Sequence, residues 1–176
     1  MPFGMPKTPE DFQKNNPHLK SFMEFIAMFN LETDRGVALS GSAMLENQLG
    51  EILGSFFVPN KGSKILLSDS NAPLASFSAR AAAALALGLI SRDEFEEMNL
   101  IRKIRNKFAH NVLVSFSQRD IAGYCSSLRY SAKSYDDVVV NARSSFTTAV
   151  VAIVLNLNNR AHYVSKRRLA ECSWPY

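Results

Sequence analysis

The stretch Ile101-Arg102-Lys103-Ile104-Arg105-Asn106-Lys107-Phe108-Ala109-His110-Asn111 combines the spacing of a buried helix with a dense group of cations. At about 100° per residue, the apolar residues in and before it fall on one broad arc: Phe95, Met98, Leu100, Ile101, Ile104 and Phe108. The segment Ser91-Arg92-Asp93-Glu94 is a capping box, in which the serine and the glutamate satisfy free backbone N–H groups of the first turn. The spacing and the cap together predict a helix that runs from this box to about His110.

Arg105 lies inside this apolar arc, where an unpaired guanidinium would be very costly. The best partner for such a group is a carboxylate that it can bind through two parallel hydrogen bonds. Glu46 shows the same anomaly, because it shares the helical phase of Leu39 and Leu53. We therefore expect Glu46 and Arg105 to bridge their two helices. Arg80, a charge in an otherwise apolar segment, is the rival partner of Glu46.

A second face of the same helix is polar. Asn106 lies within about 40° of His110, and Lys103 lies within about 20° of it. Together with Arg102 and Arg105, these residues are candidates for a binding or catalytic site. The alternative is structural, because cations toward the C-terminal end of a helix complement its macrodipole. A single histidine, moreover, has a structural role more often than a chemical one.

The chain before this helix also has helical spacing. Pro17 fits the first turn of a helix, and Thr33 or Asp34 can cap a long apolar helix that ends near Phe57. Small residues in the long helix, such as Gly41, allow a neighbouring helix to pack closely. They therefore favour a central position for it.

The remaining segments complete an all-α fold. Residues 59–71 are rich in Gly, Ser, Asn and Lys and predict a surface loop. A third helix is expected at about 74–87 with Gly88 as its C-cap, a fifth at about 118–128 behind a capping sequence that begins at Ser117, and a last one at about 141–160. Residues 130–140 could be a strand fragment or a helix start. We predict a single-domain bundle of six or seven helices over residues 17–176, after an irregular lead-in at residues 1–16.

Composition limits the class of protein. The 176 residues are 47% hydrophobic and 20% charged, which suits one compact domain. Two cysteines make no disulfide framework, no signal-peptide pattern opens the chain, and the longest apolar run is too short to cross a bilayer. We expect a cytoplasmic protein with no membrane contact. The net charge of +4 permits nucleic-acid binding without demanding it, and the basic group at residues 160–168 is expected to be solvated.

Two family resemblances rest on these residues. Arg105-Asn106-x-x-x-His110 resembles the Arg-x4-6-His motif of the all-helical HEPN superfamily. A longer set resembles the bacterial mannitol operon repressor family: Arg35-Gly36-x-Ala38-Leu39-x-Gly41-x-Ala43-x-Leu45-Glu46, Phe77-Ser78-Ala79-Arg80, Ala86-Leu87-Gly88-Leu89-Ile90-Ser91 and Ile101-Arg102-Lys103-Ile104-Arg105-Asn106-x-Phe108-Ala109-His110. This likeness covers roughly residues 17–130. It implies a HEPN-like fold and a bacterial protein linked to control of sugar-alcohol uptake.

The first functional interpretation is a regulator of this kind. A helix-turn-helix would have to use the helices on either side of Gly88, yet the second one opens with four carboxylates, at positions 93, 94, 96 and 97. Carboxylates at the inserted end of a recognition helix oppose binding to DNA phosphates. We therefore expect control through a protein partner or an RNA target, and a homodimer formed by one of the largely apolar helices. The expected binding residues are Arg102, Lys103, Arg80 and Glu46.

The alternative interpretation is an enzyme. The HEPN resemblance implies a metal-independent endoribonuclease that cuts single-stranded RNA, with the RNA 2′-hydroxyl as nucleophile. His110 would move the proton, Arg105 or Arg102 would stabilise charge on the phosphate, and Asn106 would orient it. Arg105 and His110 differ by about 140° in phase, so they meet one phosphate only if the helix ends or bends near Ala109. We expect no metal and no cofactor, because no His, Cys or carboxylate group stands at ligand spacing.

Overall fold

The computed structural model describes residues 19–69, 71–135 and 137–175, and within them it contains helices and no β-strand. In chain order the helices are α1 (Lys20–Phe29), α2 (Asp34–Phe56), α3 (Lys61–Leu67), α4 (Phe77–Ala86), α5 (Arg92–His110), α6 (Arg119–Ser126), α7 (Ala142–Leu157) and α8 (Arg160–Ser165). The predicted all-α fold class is confirmed. The lead-in predicted for residues 1–16 lies outside the described residues.

Helix α2 is the centre of the bundle and packs against α1, α3, α4, α5, α7 and α8. It begins where the side chain of Thr33 accepts the backbone N–H of Gly36. A Cβ atom on Gly41 would lie 3.0 Å from Phe29 of α1 and 3.0 Å from Val150 of α7. Only a residue without a side chain lets both neighbours approach this closely. The central position predicted from the small residues of this helix is confirmed.

Two local predictions are wrong: the surface loop at residues 59–71 and the capping sequence that begins at Ser117. The expected loop at residues 59–71 contains helix α3, which begins at a capping box formed by Asn60 and Ser63. At the start of α6 the N-cap is Gln118, and it makes no capping hydrogen bond through its side chain. The side chain of Ser117, which was expected to cap this helix, instead lies 2.6 Å from the hydroxyl of Ser115.

The ambiguous segment at residues 130–140 contains no helix among its described residues. Tyr135 and Val138 exchange backbone hydrogen bonds of 3.2 and 2.9 Å and form an isolated β-bridge. The segment is thus a tight reversal of the chain. It leads directly into Asn141, whose side chain caps α7 by accepting the N–H of Ser144.

The turn between α4 and α5 fixes the position of the candidate site. Gly88 has a φ of 67°, and the N–H of Leu89 donates to the carbonyl of Ala84 at 2.8 Å. This is the Schellman pattern that ends a helix at a glycine, as the sequence predicts for Gly88. Three residues later Ser91 and Glu94 form the predicted capping box of α5. Helix α5 then packs against α2, α4, α6 and α7.

The C-terminal basic group is only partly solvated, which corrects the expectation from the sequence. Arg160 of α8 is paired with a buried carboxylate of α5. Arg168 Nε donates to the carbonyl of Ser55 at 3.0 Å, and the backbone N–H of Leu169 donates to the carbonyl of Phe56 at 2.8 Å. These bonds use carbonyls at the end of α2 that no longer have a partner inside the helix. Among the described residues, no helix has the length and apolar character needed to cross a membrane.

Candidate functional site

The first half of α5 is acidic, and two of its four carboxylates are buried. Glu94 is 4% exposed and Glu97 is 1% exposed. Glu94 binds Arg160 of α8 through two hydrogen bonds, of 2.7 Å from Nη2 to Oε1 and 3.1 Å from Nη1 to Oε2. Burial raises the pKa of Glu94, but the hydrogen bonds from Arg160 and Ser91 and the charge of Arg160 together hold that pKa below its ordinary value. Glu94 is therefore an ionised carboxylate with all of its partners inside the protein.

The other carboxylates of this half hold the segment that follows α6. Arg129 forms ion pairs of 2.6 Å with Asp93 and 3.0 Å with Glu96. The carboxylate of Glu97 accepts the backbone N–H groups of Arg129 and Tyr130, at 2.9 and 3.0 Å. A DNA recognition helix needs an exposed N-terminal half that enters the groove. In the first turns of α5 the side chains of Glu94 and Glu97 are buried, and the more exposed Asp93 and Glu96 are paired with Arg129, so nothing here is available to enter a DNA groove as a recognition surface.

Two of the four cations in the second half of α5 contact α6. Lys107 Nζ lies 2.9 Å from Oδ2 of Asp120, and Lys103 Nζ lies 6.0 Å from the ring centroid of Tyr124. The hydrogen bond from Lys107 lowers the pKa of Asp120, and the same bond raises the pKa of Lys107. Lys103, expected from the sequence to be a binding residue, is thus placed over an aromatic ring of its own chain.

The other two cations lie on a different side of α5 and have no partner. Arg102 and Arg105 are half-buried, as are Asn99 and Asn106 beside them. None of these four side chains makes a hydrogen bond or an ion pair within the described part of the chain. The Nε atom of Arg102 is buried and has no hydrogen-bond partner. Phase predicts Arg105 inside the apolar face, but the side chain is only half-buried and lacks the expected partner, so it lies at the edge of that face.

The predicted ion pair between Glu46 and Arg105 is not present, since neither side chain takes part in an ion pair among the described residues. The phase argument placed Glu46 with Leu39 on a core face. Leu39, however, is 37% exposed. Leu53, on the same side, is fully buried, so this side of α2 passes from the core to the surface, and Glu46 between the two leucines is half-buried.

Arg80 does contact Glu46, but through the backbone. Its guanidinium donates to the carbonyls of Glu46 at 3.0 Å, Leu74 at 2.8 Å and Leu67 at 3.5 Å. A Cβ atom on Gly50 would lie 3.1 Å from Arg80 Nη1, so this glycine makes room for the guanidinium. Arg80 thus joins α2, α3 and the segment before α4 through backbone carbonyls, and its predicted binding role stays a prediction.

The C-terminal end of α5 is held by Arg35, a residue that sequence reasoning did not assign to the site. Its guanidinium donates to the carbonyls of Phe108, Asn111 and Val112, the last at 3.1 Å. These carbonyls lie where the helix ends and its dipole is negative, so a cation there is favourable. The only signal in the sequence was the presence of Arg35 in the stretch that resembles the mannitol operon repressor family.

The predicted catalytic pair does not come together in one chain. Helix α5 continues through His110, and the chain leaves helical geometry only at Asn111. Five residues of regular helix place Arg105 and His110 about 140° apart around the axis. His110 is exposed and Arg105 is half-buried, so the two side chains point to different surroundings. The described residues also contain no group of three or more His, Cys, Asp or Glu side chains that could hold a metal ion.

Comparisons with known proteins support the fold. Neither a protein-family model nor a curated protein sequence matches the chain. Among solved structures, the chain is similar to one in the X-ray structure of the MtlR–HPr complex from Escherichia coli, with a TM-score of 0.59 and 19% sequence identity. The match covers 81% of this chain and 96% of that one. The structure therefore has a fold distantly like that of MtlR, a mannitol operon regulator.

Proposed function

We propose that this protein is a regulator of the mannitol operon repressor type, which acts by binding another protein and not through a DNA recognition helix. The observation that carries the proposal is the fold match, which extends over 96% of a chain that was crystallised as part of a complex between two proteins. The sequence resemblance to the mannitol operon repressor family, made on separate grounds, points to the same type of protein.

The surface at the end of α5 offers a place for a protein partner. Leu31, Val112 and Leu113 are 88%, 87% and 89% exposed, although their side chains are apolar. Arg35 ties the loop after α5 to the start of α2, and the turn that carries Leu31 lies three residues before α2 begins. Exposed apolar groups on adjoining loops mark a surface that another protein can cover. We call these three residues the α5-end surface.

Isothermal titration of the full chain with purified HPr from Escherichia coli, and with HPr from the source organism, tests this proposal. We expect saturable binding with a dissociation constant of about 1–10 µM, the range of a transient regulatory contact. The double variant Val112→Glu, Leu113→Glu should weaken binding at least about tenfold, because two buried charges would enter the interface. Val139→Glu is the matched control, since Val139 is 83% exposed but lies in a different loop.

Two results of this titration would contradict the proposal or part of it. If neither HPr binds the wild-type chain while a duplex from the operon's upstream region does so with sequence preference, the protein acts on DNA directly. If HPr binds equally to both variants, the partner is right and the α5-end surface is not where it docks. Substitution of such exposed residues changes stability little, so circular dichroism should show folded protein in every case.

The repressor role needs a cellular measurement. Deletion of the gene should raise the expression of a sugar-alcohol uptake operon in its host, and expression of the wild-type chain should restore the original level. The double variant of the α5-end surface should fail to restore it if regulation runs through the same contact. Unchanged expression after deletion would contradict the repressor assignment.

The endoribonuclease alternative receives no support from the geometry of a single chain. His110 and Arg105 are separated around a continuous helix, and Lys103 and Lys107 are engaged with α6. A catalytic arrangement would need a second chain to supply the missing group. The alternative therefore predicts RNA cleavage only by a dimer of this chain.

A further inference from the structure

Most charged side chains of α5 have a hydrogen-bond, ion-pair or ring partner within the chain, and two do not. All four carboxylates of its first half are hydrogen-bonded or paired within the chain. Lys103 and Lys107 of its second half contact α6. Arg102 and Arg105 are the exceptions among these side chains, because neither has a partner in the described residues. These two guanidinium groups are therefore the cations of α5 that are available to a ligand.

The two arginines are neighbours on the surface of α5, and Asn106 lies within about 40° of Arg102 around the helix axis. We call Arg102, Arg105 and Asn106 the arginine strip. Residues three and four apart on a helix are neighbours on its surface, with Cβ atoms about 5–6 Å apart. The strip therefore places two guanidinium groups side by side and one amide next to Arg102, over about 6 Å of helix. All three side chains are half-buried, so they are held against the protein and not extended into water.

The hydrogen-bonding capacity of the strip is mostly of one kind. Each guanidinium carries five N–H donors and no acceptor, and the asparagine amide adds two donors. The buried Nε of Arg102 has neither a protein partner nor contact with solvent, and an unmade hydrogen bond to a charged group is costly. A partner for these groups must supply acceptor oxygens and negative charge.

Charge matching favours phosphate over a single carboxylate. Two unpaired arginines give the strip a charge of about +2, and a phosphate monoester carries about −1.5 to −2 at neutral pH on three acceptor oxygens. One carboxylate would neutralise only half of the charge and offer two oxygens. We propose that the arginine strip is a binding site for a phosphate monoester, with Arg102 and Arg105 binding the phosphate oxygens and Asn106 donating to them beside Arg102. This site is separate from the α5-end surface and does not depend on the proposed protein partner.

Titration with inorganic phosphate, followed by the arginine Nε–H signals in a proton–nitrogen correlation spectrum, tests the site directly. The experiment uses the full chain, with phosphate replacing chloride at constant ionic strength so that screening does not change. The signal that disappears in Arg102→Gln identifies Arg102. In the wild type this signal should shift and saturate, with a dissociation constant of about 1 mM or tighter.

Three variants make the result specific. Arg105→Gln should weaken phosphate binding at least about tenfold, and Arg105→Lys should weaken it also, since lysine keeps the charge but loses the planar fork of donors. Lys103→Gln removes one charge from the same helix but from the side that faces Tyr124, so it should bind phosphate as the wild type does. If Arg102→Gln or Arg105→Gln unfolds, Arg102→Lys and Arg105→Lys keep the charge and supply the signal assignment and the comparison.

Two further titrations distinguish a small phosphorylated metabolite from a phosphorylated protein as the source of the phosphate monoester. Glycerol 3-phosphate stands for a small metabolite, and a phosphoserine peptide stands for a modified protein; the probe that binds more tightly than inorganic phosphate identifies the source. The proposal is overturned if the Arg102 signal does not move, or if wild type, Arg105→Gln and Lys103→Gln respond equally. It is also overturned if the Arg105 variants convert a dimer to a monomer without any wild-type response to phosphate, because a second copy would then cover the strip.

Discussion

At the scale of single residues, the ion pair between Glu94 and Arg160 connects the candidate helix to the C-terminal helix. Glu94 is buried and Arg160 is partly exposed, so loss of the arginine leaves a charge without its partner. We expect Arg160→Met to lower the free energy of unfolding by about 3 kcal/mol at pH 7. Urea denaturation followed by circular dichroism measures this, with Arg92→Met as a control whose ion pair is exposed.

The same pair predicts a pH dependence. The pKa of Glu94 is lowered in the folded protein, so its contribution is fully present above its unfolded pKa and is lost as pH falls through the folded value. In Arg160→Met, burial without the partner favours the protonated acid. The difference in stability between wild type and variant should therefore be largest at pH 7 and shrink below about pH 4. A difference that stays constant from pH 7 to pH 3 would show that the ionisation of Glu94 is not the cause.

The two thiols should differ sharply in reactivity. Cys125 is buried in α6, and burial raises its pKa to about 12, whereas Cys172 is exposed. Since the thiolate is the reactive form, native protein at pH 8 should take up one equivalent of iodoacetamide rapidly, at Cys172. Mass spectrometry of the Cys172→Ser variant is the control, and it should show slow labelling unless urea is added. Equal labelling rates would mean that the packing around α6 opens readily.

At the scale of helices, close packing around Gly41 determines how α1 and α7 approach α2. A side chain at this position meets Phe29 and Val150 at once, and both lie in the core. Gly41→Val should cost about 2 kcal/mol through overpacking, even though valine has the higher helix propensity. Gly123→Val is the matched control in α6, because nothing lies within 4 Å of a Cβ there. Its effect should stay within about 0.5 kcal/mol, as measured by thermal and urea unfolding.

The sequence predicts some elements well because their signals are local. The capping residues Thr33 and Ser91 and the left-handed Gly88 act within a few residues of their own position, and the helices begin and end accordingly. Helix α3 was missed because loop-like composition masked the capping box at Asn60. Its seven residues are too few for periodicity to be informative.

For the candidate site, too, the sequence predicts local properties and not long-range contacts. Helical phase identifies Arg105 as a charge on the apolar side of α5, but it predicts a position inside that face, whereas the side chain is half-buried at its edge. The contacts of Arg80, Arg35 and Arg160 join residues far apart in the chain, and phase alone does not show which carbonyl or carboxylate a long side chain reaches. For the same reason, phase alone predicts an ion pair between Glu46 and Arg105 that the structure does not contain among its described residues.

At the scale of the whole molecule, the apolar helices expected to form a dimer are used inside the chain. The buried face of α2 contacts six other helices, and Phe146, Val150 and Ile153 of α7 are also buried. A second copy would have to use another surface, such as the exposed apolar residues or the arginine strip. The predicted homodimer stays a prediction, and it has to be measured together with any activity that needs two chains.

Ribonuclease activity is such a case. Because His110 and Arg105 lie about 140° apart on α5, one chain presents only one of them to a given phosphate. We expect the purified chain, in chelator, to leave labelled single-stranded RNA intact at concentrations where light scattering gives the mass of one chain, 19.6 kDa. Cleavage that appears with dimer formation and disappears in His110→Ala would contradict this and assign catalysis to the dimer. Cleavage that survives His110→Ala would point to a contaminant, since no other histidine lies near the arginine strip in the sequence.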